Sequence, residues 1–222
     1  MFKPNVTRSA DLPYKVDHTS VEAAKFLSER LLHTVHQPSR ERQVVIVCIG
    51  TDRSTGDALG PLVGSKLSGR LQAQQAVVYG TLDAPVHAVN LKDTIQEIEA
   101  KYHQPYVIAV DACLGQLSSV GMVTLGDGPL KPGAGVNKVL PEVGHIHITG
   151  IVNVGGFMEY FVLQNTRLSV VMKMADCIAD ALTESLTQAA TFPLPELPSL
   201  PEPVPQKQHL VNRINNLLGF KS

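Results

Sequence analysis

The chain has 222 residues and a formal net charge of −1, with 44% hydrophobic and 18% charged residues. That balance fits one large globular domain with a buried core. It excludes a bulk basic field that would recruit nucleic acid or a membrane surface, and no stretch approaches the ~18 consecutive apolar residues needed to span a bilayer.

Residues 1–17 are polar, contain two prolines and read as an N-terminal arm. They lack the apolar centre of a secretory signal. Thr19 and Glu22 have the spacing of a capping box, with Thr19 as N-cap. Val21, Ala24, Leu27, Leu31 and Val35 then mark one face of a helix expected to end near His36 and Pro38.

Gln43–Ile49 is a short apolar run rich in β-branched residues, the pattern of a strand buried on both faces. Gly50 ends it, a polar loop follows, and helical spacing resumes from Asp57 to Leu67. The unit repeats. Ala76–Tyr79 reads as a strand, Val86–Tyr102 as a helix, and Tyr106–Val110 as a third buried strand ending at Asp111. Strands alternating with helices imply right-handed crossovers and a mostly parallel sheet. Gly121–Leu125 reads as a strand at an antiparallel edge, and the glycine- and proline-rich stretch after it as a loop. His145–Val152 is a further strand, and Phe157 to about Leu186 has the periodicity of one long helix.

Six prolines crowd residues 192–205. That run is expected to be extended, reaching about 40 Å at polyproline rise. Leu210, Val211, Ile214, Leu217 and Leu218 then fit one helical face. The domain organisation expected is an arm (1–17), a single α/β/α domain (18–191), a proline-rich linker (192–206) and a C-terminal amphipathic helix (207–222).

In an open parallel sheet, ligands bind beyond the carboxyl ends of the strands. Those ends bring Asp57, Asp83 and Asp111 towards one crevice. Asp57 has an equally good reading as a helix N-cap, and Asp111 one as a residue tying down the turn after its strand. If Asp57 and Asp111 share a site, mutual repulsion keeps one protonated while the other ionises, and such a pair can activate water and protonate a leaving group. Asp52 and Arg53 share the first loop; a solvated surface pair competes there with Arg53 as a substrate ligand. His145 and His147 alternate onto one strand face; that spacing can present two metal ligands, but a partly exposed strand face is the better reading. P-loop, dinucleotide-binding and serine-nucleophile signatures are missing. Cys48, Cys113 and Cys177 are odd in number and form no C-x-x-C pair, which fits reduced thiols in a cytoplasmic protein.

The stretch Gly50–Pro61, GTDRSTGDALGP, resembles the G-x-N-x-x-x-T-x-D-A-L-G-P segment of the spore germination protease family. Val107–Cys113, VIAVDAC, is similar to that family's V-I-x-I-D-A segment, and Lys131–Lys138, KPGAGVNK, to its H-P-G-S-G-V-G-N-K loop. Over nearly its whole length, including ITGIVNVGGFMEY and LQNTRLSVVMKMA, the chain resembles the YyaC group of sporulation proteins. The resemblance implies the three-layer α/β/α fold that the germination protease shares with the hydrogenase maturation proteases, with a twisted, mostly parallel sheet. It also implies peptide hydrolysis by Asp57 and Asp111. In the maturation proteases the matching acidic positions bind nickel with help from a histidine, whose helix is replaced here by the GAGVNK loop.

The reading is a sporulation-associated, aspartate-dependent peptidase of the cytoplasm. Asp57 and Asp111 are its catalytic pair, and Arg53, Asp83, Asn137 and Lys138 the substrate-binding wall. Its partner is a peptide or protein, with small acid-soluble spore proteins as candidates, and a homo-oligomer is compatible with it. No cofactor is required, although the two aspartates are the residues that would take a divalent metal. The alternatives are a non-catalytic sporulation protein that keeps the fold and binds a protein partner, and a metal-binding hydrolase or maturation factor.

Overall fold

Val44–Cys48, VVIVC, is buried at every residue and forms the strand β2 at the heart of a computed structural model that describes residues 12–133 and 140–191. Its side chains alternate between two cores. Val44, Ile46 and Cys48 face one, and Val45 and Val47 the other. A strand wetted on neither face needs apolar residues on both, which is why its sequence shows no alternation.

The elements in chain order are β1 (Tyr14–Asp17), α1 (Ala23–Glu41), β2, a 3₁₀ turn (Gly56–Ala58), α2 (Leu59–Leu67), β3 (Val77–Tyr79), α3 (Leu91–Lys101) and β4 (Tyr106–Gly115). A second 3₁₀ turn (Leu117–Ser119), β5 (Met122–Asp127), β6 (Ile146–Val154), α4 (Glu159–Gln164) and α5 (Leu168–Thr191) complete them. The sheet order is β1-β5-β6-β4-β2-β3. Pairs β3–β2, β2–β4 and β4–β6 are parallel, while β5 runs antiparallel to both of its neighbours. Residues of α1, α2 and α5 pack on one face, and α3 with Leu130 and Val143 on the other. This is the expected α/β/α sandwich with a mostly parallel sheet.

Several boundaries differ from the sequence expectation. Tyr14–Asp17, read as part of the arm, forms a strand on β5, so β5 is not the edge. The capping box at Thr19 does not form, because the Thr19 backbone N–H and hydroxyl both donate to Asp17 Oδ1, at 2.9 and 2.8 Å. The helix starts instead at Ala23, leaving Val21 in solvent. It also runs through Pro38 to Glu41; Pro38 is buried, and Arg42 N–H donates to its carbonyl at 2.9 Å. Core burial there offsets the backbone bond that proline cannot donate. The helix expected from Val86 begins only at Leu91, since Val86 bridges Ile49 and Asn90 Oδ1 accepts from His87 N–H at 2.8 Å. The long helix expected from Phe157 is two helices. Asn153 Nδ2 donates to the Thr166 hydroxyl at 3.2 Å and pins the break between them.

Two contacts fix the carboxyl end of the sheet. Gly60, in the first turn of α2, lies so close to the Ile49 carbonyl that a Cβ would strike it. Gly50 has φ +148°, and its missing side chain leaves room for the Asp57 carbonyl. Together they press the start of α2 onto the end of β2. Among the described residues, no helix is long and apolar enough to cross a membrane.

Candidate active site

Strands β4 and β6 run past the end of β2 and make the floor of a cleft. β4 continues through Asp111 to Gly115, so Asp111 lies inside a strand rather than at its end. It stands opposite Thr149 in the parallel ladder. Asp57 enters from the 3₁₀ turn that precedes α2. The two aspartates line one cleft of about 360 Å³ with Cys113, Thr149, Lys131 and Glu159, and with apolar walls from Leu114, Leu130 and Leu163. The volume lies within the range of small-ligand sites.

The two carboxyls differ in basicity. Asp111 keeps some exposure to the cleft, yet burial among protein atoms pushes its carboxyl up to about 8. The Asp57 charge adds to that shift, and a 2.8 Å hydrogen bond from Ala112 N–H partly offsets it. Asp57 is raised less, again chiefly by burial. The Ser54 hydroxyl, buried and without a partner inside hydrogen-bonding limits, is near enough to pull it part of the way back. A carboxyl raised that far holds its proton near neutral pH, so Asp111 is the acid of the pair. Helix capping does not occupy Asp57: neither the 3₁₀ turn nor α2 has a side-chain cap at its start.

The expected surrounding wall is only partly in view. Arg53 is exposed, its Nε donates to Thr51 Oγ1 at 3.3 Å, and it does not line the cleft. Asp83 is exposed in the turn after β3, two strands away from β4, and does not line it either. Asn137 and Lys138 lie outside the described residues. The wall is built instead by Thr149, Glu159, Lys131 and Leu163. Lys131 is paired with Glu142 at 3.1 Å, and Glu159 Oε1 accepts from Gly156 N–H at 3.3 Å. Of these, Cys113 was within reach of sequence reasoning, because it sits two residues beyond Asp111 on the same strand face. Thr149 required the register, and Glu159 was hidden inside the single long helix.

His145 and His147 do not form a metal pair. His145 stacks on Tyr106 at 5.0 Å between ring centroids, and His147 Nδ1 bonds the Gly128 carbonyl at 3.0 Å. Among the described residues, no group of three or more His, Cys, Asp or Glu side chains is placed to hold a metal ion.

The family model described as protein of unknown function, DUF1256, matches residues 15–181. The chain belongs to the DUF1256 family. Within curated sequences, this DUF1256 chain is 59% identical over 168 residues to the uncharacterized protein YyaC of Bacillus subtilis (strain 168), covering 76% of this chain and 81% of that one. Within solved structures, it is similar to the NiFe hydrogenase maturation protease HycI from Thermococcus kodakarensis KOD1. That match has a TM-score of 0.47 and 17% identity, and covers 69% of this chain and 99% of the other.

Proposed function

We propose that the cleft hydrolyses peptide bonds, with Asp57 as general base and Asp111 as general acid. The observation that carries this reading is the unequal basicity of two carboxyls lining one cleft. Ionised Asp57 takes a proton from water as the water oxygen attacks the peptide carbonyl carbon. Protonated Asp111 donates to the carbonyl oxygen; as the tetrahedral species collapses and the C–N bond breaks, the proton held by Asp57 passes to the leaving amine and a hydroxyl proton returns to Asp111, which restores both carboxyls. Each transfer of this kind contributes a factor of about 10²–10⁴ in rate. The three ordered motifs that resemble the germination protease support the same pair of residues.

The substrate class is a peptide or small protein, with small acid-soluble spore proteins as the first candidates, in the cytoplasm of a sporulating cell. The test is incubation with those proteins and with a peptide library across pH, read by mass spectrometry. Cleavage that disappears in Asp57→Asn and Asp111→Asn supports the proposal. Intact substrates under all conditions, with folded wild-type protein, overturn it.

A further inference from the structure

Beyond the end of β2, one edge of β4 has no strand beside it. The two strands pair from Val44 with Tyr106 to Cys48 with Val110. Their last bond runs from Ile49 N–H to the Val110 carbonyl, at 2.7 Å. The chain then turns away, and Gly50 N–H donates to the Val86 carbonyl at 2.8 Å. β4 continues to Gly115 and pairs there with β6 alone.

Successive residues of a strand aim their backbone groups at opposite neighbours. Tyr106 N–H and the Val110 carbonyl point at β2, bonded to the Gln43 carbonyl and Ile49 N–H. The Val107 and Gly115 carbonyls point at β6, accepting from His145 and Gly155 N–H at 2.7 and 2.9 Å. Ala112 and Leu114 therefore aim at the lane that β2 has left. Ala112 N–H donates to Asp111 Oδ1 at 2.8 Å. Among the described residues, nothing bonds the Ala112 carbonyl or either backbone group of Leu114. Both residues line the cleft and are partly exposed. An edge of free donors and acceptors is a template for another extended chain.

The cleft walls stand on both sides of that lane. Leu114 lies with Leu163 on the face that α2 and α5 cover. Asp111 and Cys113 continue the opposite face, that of Val107 and Ala109, where Leu130 packs. The first wall is acidic. Glu159 stands with Leu114 beside Gly155, and Asp57 follows Gly56, which touches Leu163. The cleft's lysine, Lys131, follows Leu130 at the second wall and is paired with Glu142 at 3.1 Å.

We propose that the cleft binds an extended peptide as an added strand beside β4, parallel to it in the lane of β2. The choice of a peptide rests on the peptidase reading. A central residue of the peptide donates its N–H to the Ala112 carbonyl and accepts from Leu114 N–H at its own carbonyl. The residue two further on donates to the Leu114 carbonyl. An antiparallel peptide would aim a carbonyl at the occupied Ala112 N–H. The central side chain points to Leu130, and those of its two neighbours point to the acidic wall, where lysine or arginine complements Glu159. Main-chain bonds supply affinity in such a mode, and alternate side chains supply specificity.

The probe is a library of heptapeptides capped at both ends, bound to the full chain carrying Asp57→Asn so that peptides stay whole. The tightest binder is then N-methylated at one residue at a time. Binding is expected to weaken about ten-fold at two positions two residues apart, the order of one lost backbone bond, and little at the residue between them. That intervening residue is expected to be lysine or arginine. Leu114 amide exchange, followed by NMR, is expected to slow several-fold with peptide bound, while that of Cys113, turned to β6, stays the same. Losses at consecutive positions, or a Leu114 amide that exchanges equally fast with peptide bound, overturn the added strand; the peptidase reading survives that result if wild type cleaves the same peptide. Alternating losses with slowed Leu114 exchange, but no cleavage by wild type, uphold the added strand and count against the peptidase. A library without a binder overturns both.

Discussion

Asp111 and Thr149 stand level across the parallel ladder of β4 and β6, and both side chains line the cleft. Cys113 lies on the same face of β4 and lines the cleft beside Thr149. Burial raises the Cys113 thiol, with the Asp111 charge adding to the rise, while the Thr149 hydroxyl holds it partly down. Alkylation requires the thiolate. Cys113 is therefore expected to react slowly with iodoacetamide at neutral pH, and Thr149→Val to slow it further at the same pH. Cys48, wholly buried, is expected to stay unlabelled in native protein. Peptide-level mass spectrometry of the alkylated protein checks all three.

The Asp111 carboxyl makes stability depend on pH. Its native value of about 8 lies above the ordinary 3.8, so the folded chain binds the extra proton between those values. No penalty applies below pH ~4; it grows as pH rises and is complete above pH ~8. Between the two values the slope approaches ~1.4 kcal/mol per pH unit, the worth of one proton, and solvent in the cleft acts by narrowing the window. Asp111→Asn removes this dependence, since the amide oxygen can still accept from Ala112 N–H. Thermal melts from pH 4 to 9 are expected to show the variant gaining on wild type as pH rises. Parallel curves would show that Asp111 carries no raised value.

If the pair catalyses hydrolysis, turnover needs Asp57 ionised and Asp111 protonated. Activity is then expected to fall on the alkaline side as pH passes about 8, where Asp111 loses its proton. Asp57→Asn and Asp111→Asn are each expected to lower kcat by about 10²–10⁴, with KM little changed. A rate that climbs steadily through pH 9 contradicts the assigned roles.

Gly60→Ala is expected to destabilise the fold by about 1–3 kcal/mol, because the new methyl meets the Ile49 carbonyl, a backbone atom that cannot turn away. Leu31→Ala, by contrast, empties a fully buried site between α1 and the sheet, and about 2–5 kcal/mol is expected there. Urea denaturation measures both. Only Gly60→Ala is expected to disturb the cleft as well, since it lies two residues beyond Ala58 in the turn carrying Asp57.

The fold was legible wherever burial on both faces left a continuous apolar run, as in β2 and the first half of β4. The helices α1 and α5 announced themselves by period. What stayed hidden depended on partners distant in sequence. Tyr14–Asp17 looks polar because one face of an edge strand is wet, and only its pairing with β5 makes it structure. Pro38 reads as a helix stop until its burial is known. In the site, Asp57 and Asp111 were legible as occupants of adjacent strand ends. Arg53 and Asp83 were placed by loop order alone, which ignores that β3 lies beyond β2 from β4. Glu159 entered the cleft only because Thr166 and Asn153 break the expected helix.

The turn that carries Asp57 is gripped from two sides. α2 sits on the Ile49 carbonyl through Gly60, and α4, six residues long, sits on Gly56 so closely that a Cβ there would meet the Leu163 backbone. Anyone redesigning what the cleft accepts must therefore keep the backbone of α4 at Leu163 where it is, and vary only the side chains that it sends into the cleft.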